Sequence, residues 1–319
     1  MIDNALLRKA LTLWGIEDKK CELIAFRENL TYKTFNNIGI QVVLRIHRKN
    51  YSSKKEINSE LNWLQALNQG NINVPKPVKS INNKLLEIID GRYISVLTWI
   101  NGKHLSEINT IDNSTSKDKV FYNLGKELAK LHKFSDHWIK PDNFYKREWN
   151  INGLVGENPI WDKFWENPKL SNKQIKEMLF LKDQCYIILN NNIDDLDYGL
   201  IHADAVRDNV LFQNNLKVNL IDFDDSGFGF RIFDLATTLL HFINDKNFYK
   251  IKDKLTKGYL DTNYLNLKLI NIFILVRSFT YVGWNIKRIE EPGGIARNKK
   301  YINNVFNVVK KLDIQFNIY

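Results

Sequence analysis

The chain has 319 residues, of which 44% are hydrophobic and 12% aromatic, enough for more than one compact core. Its net charge of +10 lies mainly on scattered lysines without an arginine-rich run, which argues against nucleic acid as the main partner. It has no apolar run long enough to span a membrane, no signal-peptide pattern, and only two cysteines. We therefore expect a cytoplasmic protein without a membrane partner, and the sequence predicts no particular oligomeric state.

The first hundred residues predict a helix, two strands, a second helix and two further strands. The predicted helices cover residues 4–14, capped by Asp3 or Asn4, and from Ser52 or Ser53 to about residue 70. The predicted strands cover residues 23–35, 40–48, 84–89 and 93–99. Loops suited to hairpins join them at residues 36–39 and at Asp90-Gly91.

Beyond Gly102 the pattern changes and long helical periodicities dominate. Helices are predicted at residues 117–133, 172–190, 233–243, 265–286 and 299–312. One short β patch interrupts them, at residues 199–202, 210–213 and 218–221. These patterns predict an α+β chain with a small antiparallel-sheet lobe, residues 1–100, and a larger, mainly helical lobe, residues 101–319.

The most informative stretch is YGLIHADAVRDNVL at residues 198–211, followed by LIDFDD at residues 220–225. A turn at Asn214-Asn215 is expected to fold two of the short strands into a hairpin, bringing Asp222 towards the loop that carries Asp204 and Asn209. This combination suits phosphoryl transfer. One carboxylate orients a hydroxyl and accepts its proton, while an asparagine and a second aspartate hold magnesium, which prefers oxygen ligands.

Three motifs, HADAVRDN at residues 202–209, IDFD at 221–224 and FDLA at 233–236, resemble the superfamily of aminoglycoside phosphotransferases, choline kinases and type II homoserine kinases. The resemblance covers nearly the whole chain. It implies a protein-kinase-like two-lobe fold, with the nucleotide in the first lobe and the catalytic loop and acceptor pocket in the second. It also implies an enzyme that uses ATP and Mg²⁺ to phosphorylate a small-molecule hydroxyl, on an amino sugar, an amino alcohol or a homoserine-like compound.

Within this resemblance, Asp204 is the catalytic base, His202 braces its loop, and Asn209 and Asp222 bind the metal. Asp234 is implied to be a buried anchor for the catalytic loop.

Three further positions near the motifs carry expectations. Arg207 has two interpretations. In the first it contacts the transferring phosphate or the acceptor, and in the second it only pairs with Asp208. For Asp224 two alternatives stay open: a further contact with the metal or the acceptor, or no such role. Ala203 stands where many relatives have glycine, a small change that leaves the expected chemistry intact.

On the nucleotide side, residues 27–33, RENLTYK, resemble the Glu-Asn-x-x-Tyr pattern of the loop that covers ATP, which implies phosphate contacts at Asn29 and Thr31. Arg45 occupies the strand position where kinases place a phosphate-binding lysine, and Glu60 in the following helix is its natural partner. The alternative for Arg45 is a solvent-facing side chain on an exposed sheet face. The adenine base is expected at the backbone of Thr98, Trp99 and Ile100.

The acceptor pocket cannot be identified from a motif, although aromatic residues such as Trp161 and Tyr281 fall where relatives line the cleft. Two alternatives to a small-molecule kinase stay open. The loop at residues 27–33, with Gly283-Trp284 and Arg288, also resembles bacterial stress-response protein Ser/Thr kinases. The other alternative is a non-catalytic, nucleotide-binding pseudokinase, since a fold does not guarantee a function.

Overall fold

The computed structural model describes residues 4–17, 21–26 and 29–316. Two compact units make up the chain, and each is assembled from separate segments. Unit 1 comprises Met1–Ile108, His137–Arg147 and Asp208–Asp224, and unit 2 comprises Asn109–Asp136, Glu148–Arg207 and Asp225–Tyr319. The division into lobes at residue 100 stays a prediction.

The described strands are β1 (Glu22–Phe26), β2 (Asn29–Phe35), β3 (Gln41–His47), β4 (Pro77–Val78), β5 (Leu86–Ile89), β6 (Arg92–Thr98), β7 (Lys103–His104), β8 (Glu148–Trp149), β9 (Tyr198–Ile201), β10 (Val210–Phe212), β11 (Val218–Leu220) and β12 (Gly227–Phe230). The described α-helices are α1 (Asn4–Leu13), α2 (Lys54–Gln69), α3 (Ser114–His137), α4 (Ile151–Val155), α5 (Asn172–Asn191), α6 (Ile232–Leu240), α7 (Phe248–Leu260), α8 (Ile270–Trp284) and α9 (Gly294–Lys311).

Unit 1 is built on an antiparallel sheet in the order β1-β2-β3-β6-β4, with β5 also paired to β6. Alternation along β3 buries Leu44 and Ile46 in a core that includes Leu11 of α1 and Val96 of β6. A second, three-stranded sheet of this unit has the order β11-β10-β7. Its β10–β11 hairpin pairs Val210 with Leu220, so the turn predicted between these strands is confirmed.

The turn residues of unit 1 explain most of its predicted boundaries. Asp90 and Gly91 both have positive φ, 49° and 71°, as a two-residue hairpin between twisted strands requires. Ser53 caps α2 in a capping box with Glu56. At the N-terminus, α1 begins at Asn4, whereas the alternative cap Asp3 lies outside the described residues.

The prediction of one strand over residues 23–35 is wrong, because this run forms two antiparallel strands, β1 and β2, with Phe26 opposite Leu30. A single strand of this length would extend about 43 Å, well beyond the neighbouring strands it must pair with. Folding the run back on itself satisfies the backbone groups of both halves. Residues 27 and 28, in the predicted phosphate loop, lie outside the described residues.

Unit 2 is mainly helical, with α8 packed between α6 and α9. Its small sheet has the order β8-β12-β9, and β12 is parallel to β8 and antiparallel to β9. The single β patch predicted from the sequence is therefore wrong, since β9 belongs to this sheet whereas β10 and β11 pair in unit 1. The strand β12, whose glycines gave no strand signal, and the lysine-rich helix α7 were not predicted.

The ends of the unit 2 helices differ from the predicted ends by a few residues. Helix α9 begins at Gly294, five residues before its predicted start, directly after Gly293 with a φ of 74°. In the described part of the chain, no helix is both long and apolar enough to cross a bilayer. The predicted α+β class is confirmed by the mixture of antiparallel sheets and helices.

Candidate active site

The loop after β9, which carries the predicted base, is anchored by Asp234 in the first turn of α6. The Asp234 carboxylate accepts hydrogen bonds from the backbone N–H of His202, at 2.8 Å, and of Ala203, at 2.7 Å. His132 of α3 lies 3.0 Å from the same carboxylate and 2.8 Å from the hydroxyl of Tyr259. Burial opposes ionisation of Asp234, but its contacts with His132 and the His202 backbone hold its pKa below the usual range.

Two non-glycine residues of the motifs have left-handed backbone conformations. Ala203 is fully buried with a φ of 64°, and Asp222 has the same φ. Glycine adopts this conformation without strain, which is a physical reason for the glycine that the resemblance implies at the position of Ala203 in many relatives. The sequence suggested no strain at Asp222.

Asp204, the predicted base, is bound by an arginine that sequence analysis did not identify as functional. Its Oδ1 lies 2.6 Å from Nη2 of Arg277 in α8, and 22% of the Asp204 side chain is exposed. The backbone N–H of Asp204 donates to Nδ1 of His202 at 3.2 Å, in keeping with the bracing role expected of that histidine. A cation inside an otherwise apolar helical pattern was the available signal, since a buried arginine requires a partner.

Arg207 projects towards an aromatic ring of its own unit. Its guanidinium carbon lies 5.7 Å from the centroid of Phe242, within range of a cation–π contact. Its Nε is buried and has no hydrogen-bond partner among the described atoms. The Arg207 side chain therefore has an N–H donor, at Nε, that makes no hydrogen bond in the described structure.

The β10–β11 hairpin of unit 1 brings the two predicted metal ligands together. Asn209 directly precedes β10 and Asp222 follows β11, and the backbone N–H of Ile221 donates to the carbonyl of Asn209 at 2.9 Å. The Asp222 carboxylate is exposed and Asn209 is half-buried. Carboxylate and amide oxygens are the hard donors that Mg²⁺ prefers.

The donor set is small. The described residues contain no cluster of three His, Cys, Asp or Glu side chains arranged to hold a metal. A pair of protein ligands fits Mg²⁺ all the same, because this ion usually keeps several waters and binds substrate phosphates through one or two carboxylates.

Arg45 lies inside a cluster of buried charges in unit 1, with 5% of its surface exposed, so the solvent-facing alternative is wrong. Its Nη2 is 2.8 Å from Glu60 Oε1 and its Nη1 is 2.9 Å from Asp224 Oδ1. The Asn29 amide also donates to the Asp224 carboxylate. Burial alone would lower the pKa of Arg45, but Glu60 and Asp224 raise it above its ordinary value. Asp224 is thus engaged by protein groups.

The residues expected at the adenine base lie at the end of β6. The N–H groups of Thr98 and Trp99 already donate to the carbonyls of Lys76 and Gln41, at 2.9 and 3.0 Å. The Lys33 ammonium lies 4.3 Å from the Trp99 ring centroid. Of the phosphate-loop residues, Thr31 lies opposite Arg45 in the β2–β3 register.

Comparisons with known proteins identify the family of this chain. The model of the phosphotransferase enzyme family matches residues 27–263. The amicoumacin kinase of Bacillus subtilis (strain 168) is 24% identical over 299 residues, which cover 88% of this chain and 84% of that protein.

Solved structures of kinases have a similar fold. A microcompartment-associated aminopropanol kinase has a TM-score of 0.81 and 25% identity, covering 96% of this chain and 95% of that one. An amicoumacin kinase in complex with AMP-PNP, Ca²⁺ and Ami has a TM-score of 0.77 and 21% identity, covering 96% and 93%. The predicted kinase-like fold is confirmed. The chain belongs to the phosphotransferase enzyme family, and it is an ATP-dependent kinase.

Proposed function

We propose that this kinase transfers the γ-phosphate of ATP, with Mg²⁺ as its metal, to a hydroxyl of a small molecule that also carries an amino group. The observation that carries the proposal is the β10–β11 hairpin, which brings Asn209 and Asp222 together five and eighteen residues after Asp204 in the chain. The names of the relatives support the acceptor class, because an aminopropanol has both an amine and a hydroxyl. A cytoplasmic location, where ATP is available, fits this activity.

Asp204 acts as the general base in this proposal. Its carboxylate orients the acceptor hydroxyl and takes its proton as the oxygen attacks the γ-phosphorus. An ionised carboxylate is required for this role, and the charge of Arg277 at 2.6 Å favours that form. His202 and Asp234 hold the loop backbone from which Asp204 projects.

Asn209 and Asp222 hold the metal with one amide oxygen and one carboxylate. The chemistry that Mg²⁺ supplies when bound is neutralisation of phosphate charge. The left-handed backbone of Asp222 and the hydrogen bond between Ile221 and Asn209 fix the relative positions of these two ligands.

Arg45, Asn29 and Thr31 form the phosphate side of the proposed nucleotide site, with Glu60 orienting Arg45. Both terminal nitrogens of Arg45 bind carboxylates, whereas its Nε is buried and has no partner within the described residues. This N–H is therefore one of the donors that Arg45 offers to a phosphate in this proposal. For the base, the N–H groups of Thr98 and Trp99 are engaged in the sheet, so contacts with adenine would use carbonyl groups or the backbone of Ile100.

A protein Ser/Thr kinase is the alternative, and the segment that follows Asp225 argues against it. Kinases of proteins often depend on a loop whose phosphorylation orders the docking surface. Between Asp225 and Asp234 the only hydroxyl residue is Ser226, and its side chain is fully buried. This segment includes β12 and has no exposed site for such a modification.

The test is a transfer assay with γ-labelled ATP and Mg²⁺. The acceptors are amino alcohols, aminoglycosides and homoserine, with analogues that lack the hydroxyl, and a generic protein substrate in parallel. Label is expected on an amino-bearing small molecule and absent from its deoxy analogue. Label on protein serines alone would support the stress-kinase alternative, and ATP binding without any transfer would support a pseudokinase. Asp204→Asn is the inactive control.

A further inference from the structure

Arg277 is a buried cation at the centre of α8. Its side chain is 0% exposed, and most of the surrounding helix is apolar and buried, although Ser278 follows it directly and Thr280 Oγ1 accepts from its Nη1 at 3.4 Å. Removing a guanidinium from water is unfavourable by several kcal/mol, and well-packed apolar residues in the place of a buried ion pair are often neutral or stabilising. Stability alone therefore does not account for an arginine at this position.

The contacts of Arg277 aim it at Asp204. Its Nη2 donates to Asp204 Oδ1 at 2.6 Å and to the Tyr281 hydroxyl at 3.2 Å. Its guanidinium carbon lies 4.6 to 5.4 Å from the ring centroids of Tyr281, Trp161 and Phe233. Aromatic faces offset part of the desolvation of the cation. They also restrict its rotation, which keeps Nη2 directed at the Asp204 carboxylate.

We propose that Arg277 is the positioning residue of the catalytic base, holding the Asp204 carboxylate ionised and fixed in orientation for the acceptor hydroxyl. This inference rests on the proposed role of Asp204 as the base. It assigns Arg277 no contact with nucleotide or acceptor. Because Arg277 acts on catalysis only by way of the Asp204 carboxylate, its replacement should change kcat and the pH dependence of turnover.

Other charges around this pair set the background for that pH dependence. The negative charge of Asp225, like that of Asp204, raises the pKa of Arg277. His241, whose Nε2 lies 2.7 Å from the Tyr281 hydroxyl, has a pKa lowered to about 3 by burial and by positive charges, so it is neutral at working pH. Burial raises the pKa of Tyr281.

Three further groups complete these surroundings. Arg207 and Lys300 add positive charge near His241, and Tyr301 stacks on Tyr281. Arg277 is nevertheless in direct contact with Asp204, at 2.6 Å. Its removal is therefore expected to dominate any change in the ionisation of that carboxylate.

The experiment compares pH profiles of kcat/KM for the acceptor in wild type, Arg277→Gln, Arg277→Lys and a control. Loss of the positive charge raises the pKa of Asp204, so the acidic limb of the Arg277→Gln profile should move about 1–3 units to higher pH. Arg277→Lys keeps the charge but loses the planar fork. Its limb should stay near the wild-type position, while kcat falls about 10-fold or more. In both variants the KM for ATP should remain close to wild type.

Lys182→Gln is the control. It removes a buried positive charge from the same unit, one that pairs with Glu157 at 2.7 Å, and should leave the limb in place. An unmoved limb in Arg277→Gln would overturn the proposal. If that variant does not fold, Arg277→Lys decides, because wild-type kcat in the lysine variant would exclude a positioning role for the guanidinium.

A second measurement separates this inference from the proposed function. Thermal unfolding of Arg277→Gln, Asp204→Asn and the double variant requires no turnover. If the two residues are in direct contact, the double variant should lower the Tm by less than the sum of the two single substitutions. Coupling between the two changes, together with no turnover by wild type towards any acceptor tested, would leave the Arg277–Asp204 pair intact and refute the proposed function. Additive Tm changes would refute the pair itself.

Discussion

Arg45 on β3 and Glu60 on α2 form an ion pair within unit 1, with 2.8 Å between Nη2 and Oε1 and both side chains buried. Asp224, two residues after the proposed metal ligand Asp222, adds a second carboxylate on the other terminal nitrogen of Arg45. One guanidinium therefore connects a strand, a helix and the segment that follows the metal ligand.

Arg45→Ala is expected to raise the KM for ATP more than the KM for the acceptor, and Glu60→Ala should do the same less severely. Arg45→Ala leaves Glu60 buried without its cation, which lowers the free energy of unfolding by about 3–5 kcal/mol. Glu60→Ala should lower it by less, because Arg45 keeps its contact with Asp224. The double variant should then show effects well below the sum of the two. Steady-state kinetics and urea unfolding of all four proteins test this, and strictly additive changes would contradict a functional pair.

Asp204→Ala is expected to reduce turnover by about 100- to 10,000-fold, because a positioned base is lost. Its affinity for ATP should remain near wild type, since the carboxylate is proposed to contact the acceptor. Isothermal titration with a non-hydrolysable ATP analogue measures binding, and single-turnover kinetics measure transfer. Wild-type rates in this variant would remove Asp204 from the mechanism.

Asp222→Asn is expected to abolish most of the benefit that Mg²⁺ gives to nucleotide binding, because a full negative charge is removed from a site for a divalent cation. The affinity for ATP is measured with and without Mg²⁺. Asp142→Asn removes an exposed carboxylate from the same unit and serves as the control. Equal stimulation by Mg²⁺ in wild type and Asp222→Asn would show that the metal is held elsewhere.

The sequence was a good guide wherever a local signal dictated the structure. The turn at Asp90-Gly91, the capping box at Ser53 and the hairpin between β10 and β11 each depend on a few adjacent residues with strong conformational preferences. The three chemical motifs are equally local, and they were sufficient to predict the family and the fold.

What the sequence did not reveal depends on contacts between distant residues. Arg277 and Asp204 are 73 positions apart, and only the packing of α8 in unit 2 shows that they meet. Similarly, Asp224 is an acidic residue in an acidic loop until β3 supplies Arg45 at its side chain. The separation of β9 from β10 and β11 could not be predicted either, because all three strands are short and similarly apolar.

His47 makes the stability of the protein dependent on pH. Burial and the neighbouring Arg45 lower its pKa from 6.5 to about 3. Between these two values the unfolded chain binds a proton that folded His47 does not. The contribution of His47 to the free energy of unfolding is therefore fully present above pH 6.5. It falls by about 1 kcal/mol per pH unit as the pH drops towards 3. His241, also lowered to about 3, adds a similar slope.

His47→Gln should remove its share of this slope. Urea unfolding at pH 7, 6 and 5 gives the slope for wild type and variant, and the variant should lose about 1 kcal/mol less per unit. Identical slopes in the two proteins would show that folding does not lower the pKa of His47.

Ala203→Gly tests the strain in the catalytic loop. Ala203 has a φ of 64° and is held there by the hydrogen bond from its N–H to Asp234 at 2.7 Å. A left-handed conformation is unfavourable for an L-residue by about 1–2 kcal/mol, and glycine removes that strain. Against this, glycine gives the unfolded chain additional entropy worth about 0.4–1 kcal/mol. The loss of the buried methyl group costs about 0.8 kcal/mol in addition. The variant should therefore lie within about 1 kcal/mol of wild type in stability.

Ala205→Gly is the matched control two residues further along the chain. Ala205 is also fully buried, but its φ is not positive, so glycine relieves no strain there. Entropy and the lost methyl group should then make this variant about 1 kcal/mol less stable than wild type. Urea unfolding of the three proteins at pH 7.5 gives the comparison. Equal losses in Ala203→Gly and Ala205→Gly would mean that the loop carries no left-handed strain at Ala203.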